Sequence, residues 1–293
     1  MDKPAALTMD IGGSHVTAAM VDLERRRVIA ASRASRSVDP HASADELLGQ
    51  WSQAGLDALG ACPDAQISHT GVGMPGPFEY PTGISRLTHK FAALNGMDVG
   101  MALRERWAGT VLGSAPVLFA NDAAVWALGE WWGGAGRGLR RVIGVTLGTG
   151  LGSGFIDNGQ IICAGDNVPP EGQIWNVPFR DGISEDYAAG RVIVSAYRAR
   201  VGVKLNAAQV ARRALDGDAD AQAVYAELGR DLAEIMAPWV ARFQPDALVV
   251  GGNVARSWEL LRESLSAGLQ PLTCRPTKNF EGSSLLGGAV LSA

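Results

Sequence analysis

The amino-acid sequence predicts an α/β protein in which one architecture occurs twice. Short β-type runs alternate with amphipathic helical patterns along the whole chain. The order strand, glycine loop, strand opens both halves, around Gly12 and again around Gly148. With 293 residues, 47% of them hydrophobic, the chain has enough apolar material for two ordinary domains.

The first half predicts three strands and a helix before two further strand-helix pairs. Ser43 and Glu46 have the spacing of a capping box, and apolar residues then recur at helical intervals. Asp98 is placed to cap a later helix, which carries apolar residues on one face. The predicted strands cover 5–9, 16–21, 27–31, 67–72 and 117–119, and the predicted helices cover 43–60, a segment from 98 and a segment ending near 132.

The second half repeats the opening and then becomes mainly helical. Asn158-Gly159 lies between two β-type runs and is a strong hairpin signal. We expect Pro238 to kink or split the longest helix, because proline lacks the N–H that the helix needs. Strands are predicted over 142–147, 153–157, 160–163 and 247–250, and helices over 184–203, 206–216, 220–242 and in two segments after 253.

Composition excludes several classes of protein. The formal net charge is -4, and no basic stripe is present of the kind that nucleic-acid binding requires. No apolar run reaches the roughly 20 residues of a membrane-spanning helix, and the first residues lack a secretory signal, so we expect a cytoplasmic protein. Cys62, Cys163 and Cys274 are far apart and have no nearby histidine, which argues against a disulfide framework and a clustered zinc site. The oligomeric state stays open, a homodimer included.

Three glycine loops are candidate ligand sites. Asp10-Ile11-Gly12-Gly13-Ser14 places an acid beside glycines and a hydroxyl, which suits a phosphate with Mg²⁺, although a tight hairpin needs no more. The loop from Gly148 to Gly154 lacks the Rossmann spacing and is followed by a strand rather than a helix. No Walker-type loop occurs in the chain. Gly251-Gly252-Asn253 lies between a strand and a helix and suits a nucleotide.

Asn121-Asp122 stands where a predicted strand meets a predicted helix. Such a pair is often only a helix cap. An acid accompanied by phosphate-type loops in both halves is also what phosphoryl transfer to an alcohol requires, because the hydroxyl needs a base. Both interpretations are open for the pair by itself.

Five motifs occur in order along the chain, namely Leu7-Thr-Met-Asp10-Ile-Gly-Gly-Ser14, Gly71-Val-Gly-Met-Pro-Gly-Pro77, Asn121-Asp-Ala-Ala-Val-Trp-Ala-Leu-Gly-Glu130, Gly144-Val-Thr-Leu-Gly-Thr-Gly-Leu-Gly-Ser-Gly154 and Val249-Val-Gly-Gly-Asn253. Together they resemble the ROK family of sugar kinases and repressors, and in particular its glucokinases, within the actin-like ATPase superfamily. The resemblance covers nearly the whole chain. It implies an α/β fold of two ribonuclease-H-like domains around a central cleft, with a sugar-side domain over 1–120, a nucleotide-side domain over 121–282, and a helix near 283–293 that packs back on the first domain.

The resemblance also implies roles for individual residues. Asp122 would be the general base for a sugar hydroxyl, and Asp10 would hold Mg²⁺ through the ATP phosphates. The expected ATP-binding residues are Asp10, Gly12, Gly13, Ser14, Thr149, Gly150, Gly251, Gly252 and Asn253. The expected sugar-binding residues are Asn121, Gly76, Gln173, Asn176 and Glu185.

This sequence departs from the family in one segment. Family members carry Gly-Glu-Ile-Gly-His and then a cysteine-rich zinc motif, whereas this chain has Gly172-Gln-Ile-Trp-Asn-Val-Pro178 and no zinc cysteines. Gln173 stands at the position of a sugar-binding glutamate, with Glu171 as a competing match, and Asn176 stands at the position of the histidine. A drifted surface loop is the alternative explanation. We therefore expect no zinc.

The function expected from these features is ATP-dependent phosphorylation of a primary hydroxyl of a hexose or hexose-like sugar. A specialised kinase for an amino sugar or a sugar-derived cyclitol of secondary metabolism is the alternative, because the sugar-reading residues have changed while the catalytic ones have not. A non-catalytic sugar sensor or repressor is the competing class. The repressors of the family carry a helix-turn-helix segment, and this sequence enters its first predicted strand by about residue 5.

Overall fold

A computed structural model describes residues 4–292, which divide into two compact units. Unit 1 contains residues 4–133 together with 281–292, and unit 2 contains Gly134–Phe280. No helix among the described residues is both long and apolar enough to span a bilayer. All three cysteines are free thiols.

Unit 1 contains one main sheet and the helices that cover it. Its strands are β1 (Pro4–Ile11), β2 (His15–Asp22), β3 (Arg27–Val28), β4 (Ala34–Ser37), β5 (Gln66–Met74), β6 (Phe78–Glu79), β7 (Ile84–Ser85) and β8 (Val117–Asn121). Its first helices are α1 (Ala44–Gly60), α2 (Val99–Arg106), α3 (Val111–Ser114) and α4 (Asp122–Gly133). The main sheet has the order β3-β2-β1-β5-β8, with β4 also paired to β2, and β1, β5 and β8 run parallel.

The local signals for the helices of unit 1 are confirmed. Ser43 and Glu46 form the capping box at the start of α1, and the Asp98 side chain accepts a hydrogen bond from the Met101 N–H at the start of α2. The predicted strand over 27–31 is shorter than expected. It ends at Val28, and a 3₁₀ turn over Ala30–Ser32 leads into β4. In this turn the Ser32 hydroxyl accepts a hydrogen bond from the Met20 N–H.

Unit 2 repeats the central arrangement of unit 1. Its strands are β9 (Arg141–Leu147), β10 (Leu151–Asp157), β11 (Gln160–Ile161), β12 (Pro178–Phe179), β13 (Gly182–Ile183), β14 (Ala247–Gly251) and β15 (Thr273–Pro276), and its helices are α5 (Gly190–Val201), α6 (Ala207–Leu215), α7 (Ala219–Phe243) and α8 (Trp258–Gly268). The sheet has the order β11-β10-β9-β14-β15. In both units an antiparallel hairpin with a glycine loop lies beside a parallel strand, namely β2-β1-β5 and β10-β9-β14.

Pro238 does not divide α7, which runs without interruption for 25 residues. Of the two outcomes expected at Pro238, a kink or a split, the split does not occur. Met236, Trp239 and Phe243 are buried against the core of unit 2 on both sides of the proline. Burial of these large side chains outweighs the one backbone hydrogen bond that proline removes.

The last helix, α9 (Ser283–Gly288), packs within unit 1 against α4. A Cβ atom on Gly129 would lie 1.8 Å from the Ser283 carbonyl oxygen, and one on Gly287 would lie 1.8 Å from the Val125 carbonyl oxygen. Only glycine permits the two helix backbones to approach so closely. The packing keeps α4 in unit 1, so this unit ends at Gly133 rather than at the expected residue 120.

Candidate active site

The parallel strands of unit 1 bring its two candidate acids to one edge of the sheet. Asp10 pairs in register with Gly73 near the end of β1, and Met74 pairs with Asn121 at the end of β8. Asp122 follows directly as the first residue of α4. The carboxyl edge of parallel strands is the usual place for a ligand site in α/β proteins.

Asn121 and Asp122 have different roles at the start of α4. The Asn121 Oδ1 atom accepts hydrogen bonds from the N–H groups of Ala123 and Ala124, at 3.1 and 3.2 Å. The Asp122 Oδ1 atom accepts one from the Ala123 N–H at 2.8 Å. No other residue that the structure describes donates to Asp122 Oδ2. Asn121 is therefore the cap, and one carboxylate oxygen of Asp122 is left for another partner.

Burial shapes the charge of both acids. The pKa of Asp10 is raised from 3.8 to about 6, first by loss of solvation and second by repulsion from Asp122, while His15, a hydrogen bond with Ser284 and Arg33 oppose the increase. Burial also raises the pKa of Asp122, against its hydrogen bond from Ala123 and the positive charge of Lys90. Carboxylates with raised pKa values at a sheet edge are candidates for acid-base chemistry.

Sequence reasoning missed two side chains of this site, Tyr80 and Lys90. The Tyr80 hydroxyl donates to the Met74 carbonyl at 3.2 Å and accepts from Asn121 Nδ2 at 3.4 Å. It also lies 3.5 Å from the position that a Cβ on Gly76 would take. Lys90 lies against Gly13 in the first glycine loop. Both residues occur in an irregular segment without a motif, so no sequence pattern marks them.

Two glycine loops meet at one edge of the sheet in unit 2. Because β9 and β14 are parallel neighbours, Thr146 pairs with Gly251 and the loops that follow them lie side by side. Gly252 has a φ of +78°, and a Cβ on it would lie 2.4 Å from the Leu147 carbonyl oxygen. Thr149 and Asn253 are exposed on these loops. The predicted second and third loops therefore form one surface of backbone amides and small side chains.

Glu185 holds the second glycine loop in place. Its Oε2 atom accepts a hydrogen bond from the Leu151 N–H at 2.9 Å, and it would lie 2.4 Å from a Cβ on Gly150. Its Oε1 atom forms an ion pair with Arg191 at 2.7 Å. Both oxygens of this carboxylate thus have partners within unit 2.

The sequence matches the family model described as "ROK family" over residues 6–284. The chain belongs to the ROK family. A glucokinase of Streptomyces coelicolor is 28% identical over 283 residues, covering 88% of this chain and 84% of the relative. An N-acetyl-D-glucosamine kinase of Haemophilus influenzae is 25% identical over 292 residues, covering 92% and 90%.

A solved structure agrees with this assignment to the ROK family. The ROK hexokinase from Thermus thermophilus superposes with a TM-score of 0.79 and covers 98% of this chain and 97% of its own, at 22% sequence identity. The likeness shows the fold. The α/β class and the duplicated ribonuclease-H-like architecture that the sequence predicts are confirmed.

Residues 172–178, the segment that departs from the ROK motif, are held by hydrogen bonds within the segment and to β10. Gln173 Oε1 accepts from the Trp175 indole N–H at 2.7 Å, and Gln173 Nε2 donates to Glu171 at 3.2 Å. The Ser153 hydroxyl anchors the segment by donating to the Gly172 carbonyl. Asn176 is exposed. Across residues 4–292 no group of three or more His, Cys, Asp or Glu side chains is arranged to hold a metal ion.

Proposed function

We propose that this ROK protein is an ATP-dependent kinase that phosphorylates a primary hydroxyl of a hexose or hexose-like sugar. The observation that carries the proposal is Asp122, whose Oδ1 atom is fixed by the α4 amide while Oδ2 is left for a substrate proton. The glucokinase and the N-acetyl-D-glucosamine kinase among the relatives support this class of reaction.

Asp122 would act as the general base. In the proposed step the acceptor hydroxyl oxygen forms a bond to the terminal phosphorus of ATP, and the bond from that phosphorus to the bridging oxygen of ADP breaks. The hydroxyl proton passes to Asp122 Oδ2. Burial raises the pKa of Asp122, and a higher pKa makes its carboxylate a stronger base.

Asn121, Gly76 and Tyr80 are the acceptor-binding residues that we assign to unit 1. Asn121 Oδ1 is occupied by α4, so its contribution to a sugar hydroxyl would come from Nδ2, which now faces Tyr80 at 3.4 Å. A hydroxyl group of the acceptor would compete for that donor. The lack of a side chain on Gly76 leaves space beside the Tyr80 hydroxyl.

The loops of unit 2 suit the nucleotide. Close approach of backbone at Gly252 and of Glu185 at Gly150 leaves no room for side chains there, so both loops would bring bare backbone close to a ligand. We assign Thr149, Gly150, Gly251, Gly252 and Asn253 to ATP and Gly12, Gly13 and Ser14 to its phosphates. Asp10 is an oxygen donor of the kind that Mg²⁺ prefers, and bound Mg²⁺ would neutralise phosphate charge.

An amino sugar or a cyclitol is the alternative acceptor. Gln173 and Asn176 place neutral amides where other ROK kinases are expected to have ionisable side chains, and amides donate as well as accept. The likeness to an N-acetyl-D-glucosamine kinase favours the same class. Gln173 is hydrogen bonded to Trp175 and Glu171, and in this proposal it acts on the acceptor through the shape of this segment.

A coupled assay of ADP release in the presence of Mg²⁺ tests the proposal. Neutral hexoses, amino sugars and cyclitols should be compared at equal concentration, and the phosphorylated carbon of each product should be identified by NMR. We expect turnover with at least one acceptor, and protein that is fully active without bound zinc in metal analysis. No turnover with any acceptor, together with retained sugar binding, would instead identify a sugar sensor.

A further inference from the structure

The Lys90 side chain lies over the first glycine loop of unit 1. A Cβ atom on Gly13 would lie 2.8 Å from Lys90 Nζ and 3.3 Å from its Cδ and Cε atoms. These are the three nearest atoms to that position outside residues 12–14. Lys90, rather than another part of the fold, therefore occupies the space above the Gly13 backbone.

Lys90 is a cation without an ion-pair partner among the residues that the structure describes. All ion pairs found among these residues have arginine as the cation. The side chain of Lys90 is exposed, and its charge acts on Asp122, whose pKa it lowers. An unpaired ammonium beside a glycine loop and the base is available to an anionic ligand.

The other charges of this site divide between the two acids. His15 and Arg33 act electrostatically on Asp10, and Arg33 is also paired with Glu281 at 3.4 Å. Lys90 is the cation that acts on Asp122. The ammonium is thus near the base that would take the hydroxyl proton, on the side of the phosphate-type loop.

We propose that Lys90 binds the phosphoryl group during its transfer and stabilises the negative charge on its oxygens. The inference rests on the proposed function. In phosphoryl transfer the negative charge is spread over three oxygens, so a cation placed at the group in transit lowers the barrier. Amide groups of the loop at Gly13 and the Lys90 ammonium can donate to the same oxygens. An anionic substituent on the acceptor is the other possible source of negative charge at Lys90.

Substitution of Lys90 tests this role with a neutral acceptor that the wild-type protein phosphorylates. We expect Lys90→Ala to lower kcat by about 10²–10³, the usual cost of losing one transition-state donor, with the KM for the acceptor within about threefold. Lys90→Arg should recover part of kcat, because it restores the charge. Lys204→Ala, an exposed lysine of unit 2, is the matched control and should leave kcat unchanged.

A second variant moves the ammonium without removing it. In Gly13→Ala the new methyl group would overlap Lys90 Nζ, the flexible end of the side chain, so the protein should fold and kcat should fall by at least about tenfold. In a Lys90→Ala background the ammonium is already absent, so Gly13→Ala should lower kcat by a smaller factor than it does in the wild-type background. Thermal unfolding checks that all variants are folded.

The outcomes separate this proposal from the function on which it rests. If the wild-type protein turns over and Lys90→Ala keeps kcat within about threefold, the Lys90 proposal fails alone. A rise in acceptor KM with unchanged kcat, or a loss confined to anionic acceptors, would assign Lys90 to acceptor binding and overturn it. Equal effects of Gly13→Ala in both backgrounds would also overturn it. No wild-type turnover with any acceptor would overturn both proposals.

Discussion

The two units share one arrangement of strands and glycine loops, but the carboxylates beside these loops differ in their ion pairing. In unit 1 neither Asp10 nor Asp122 is in an ion pair with a described residue, and burial raises the pKa of both. In unit 2 Glu185 binds Arg191 and the Leu151 N–H with separate oxygens.

The difference indicates a division of labour between similar scaffolds. A buried carboxylate without an ion-pair partner destabilises the folded state, and such a cost is typical of groups kept for chemistry or for a charged ligand. A carboxylate whose oxygens are both occupied instead fixes the conformation of its neighbours. Under the proposed function, proton transfer would belong to the edge of unit 1, whereas Glu185 positions the second glycine loop of unit 2.

The largest effect is expected from Asp122→Asn. Loss of the general base should lower kcat by about 10²–10⁴, while sugar and ATP bind within a few-fold of the wild type because the amide keeps the shape. Steady-state kinetics measures kcat, and calorimetric titration measures the binding of sugar and ATP. Asp98→Asn is the matched control, since Asp98 also accepts a hydrogen bond at a helix start in unit 1 but lies at α2. More than a tenth of wild-type kcat in Asp122→Asn would remove Asp122 from this role.

Asp10→Asn tests whether the buried charge in unit 1 lowers the free energy of unfolding. The pKa of Asp10 is about 6 in the folded protein and 3.8 ordinarily, so ionisation destabilises the folded state above pH 6 and ceases to do so below pH 4. We expect Asp10→Asn to raise the free energy of unfolding by about 1–3 kcal/mol at pH 8, a range that allows for solvent screening of the partly exposed Asp10 side chain. The increase should become progressively smaller as the pH falls from 6 to 4. Urea unfolding across this range measures the effect.

Asp57→Asn is the control for Asp10→Asn, because the pKa of Asp57 is lowered rather than raised and the expected change in stability has the opposite sign. Asp57 is exposed and accepts hydrogen bonds from Gln53 and Arg36, which lower its pKa. Its stabilising contribution is present above its ordinary pKa and is lost as the pH falls through the lowered value. The substitution should therefore decrease stability at pH 8. An Asp10→Asn variant that is less stable than the wild type at pH 8 would contradict the assignment of Asp10 as an uncompensated charge.

The smallest effect is expected from Glu185→Gln. The amide oxygen can still accept from Leu151, and only the ion pair with the partly exposed Arg191 is lost. Such pairs contribute about 0–1 kcal/mol, so the KM for ATP should rise by about two- to fivefold with kcat nearly unchanged. Asp186→Asn removes the other carboxylate bound to Arg191 and should not alter the KM for ATP. A rise confined to the KM for the sugar would make Glu185 an acceptor ligand, as the resemblance implies.

Much of the fold was predictable because its signals are local. The caps at Ser43 and Asp98 and the glycine loop after β1 are set by neighbours within a few residues. Pro238 shows the limit of such reasoning, because packing of α7 on the core overrides the local preference of proline. Gln173 shows another limit. The resemblance places it at a sugar-binding position, but it does not indicate that the side chain is hydrogen bonded to Trp175 and Glu171 in the same segment.

The sequence by itself determined the α/β class, the repeated hairpin with its glycine loop, and the acids at the ends of strands, because each depends on periodicity or short spacing. Only the tertiary structure decided which charges meet. Lys90 reaches Gly13, and Glu185 reaches Leu151, across long stretches of chain. The charge state of Asp10 also depends on burial and on the approach of Asp122. Electrostatic interactions depend on distance in space and on solvation, and neither quantity is encoded by adjacent residues.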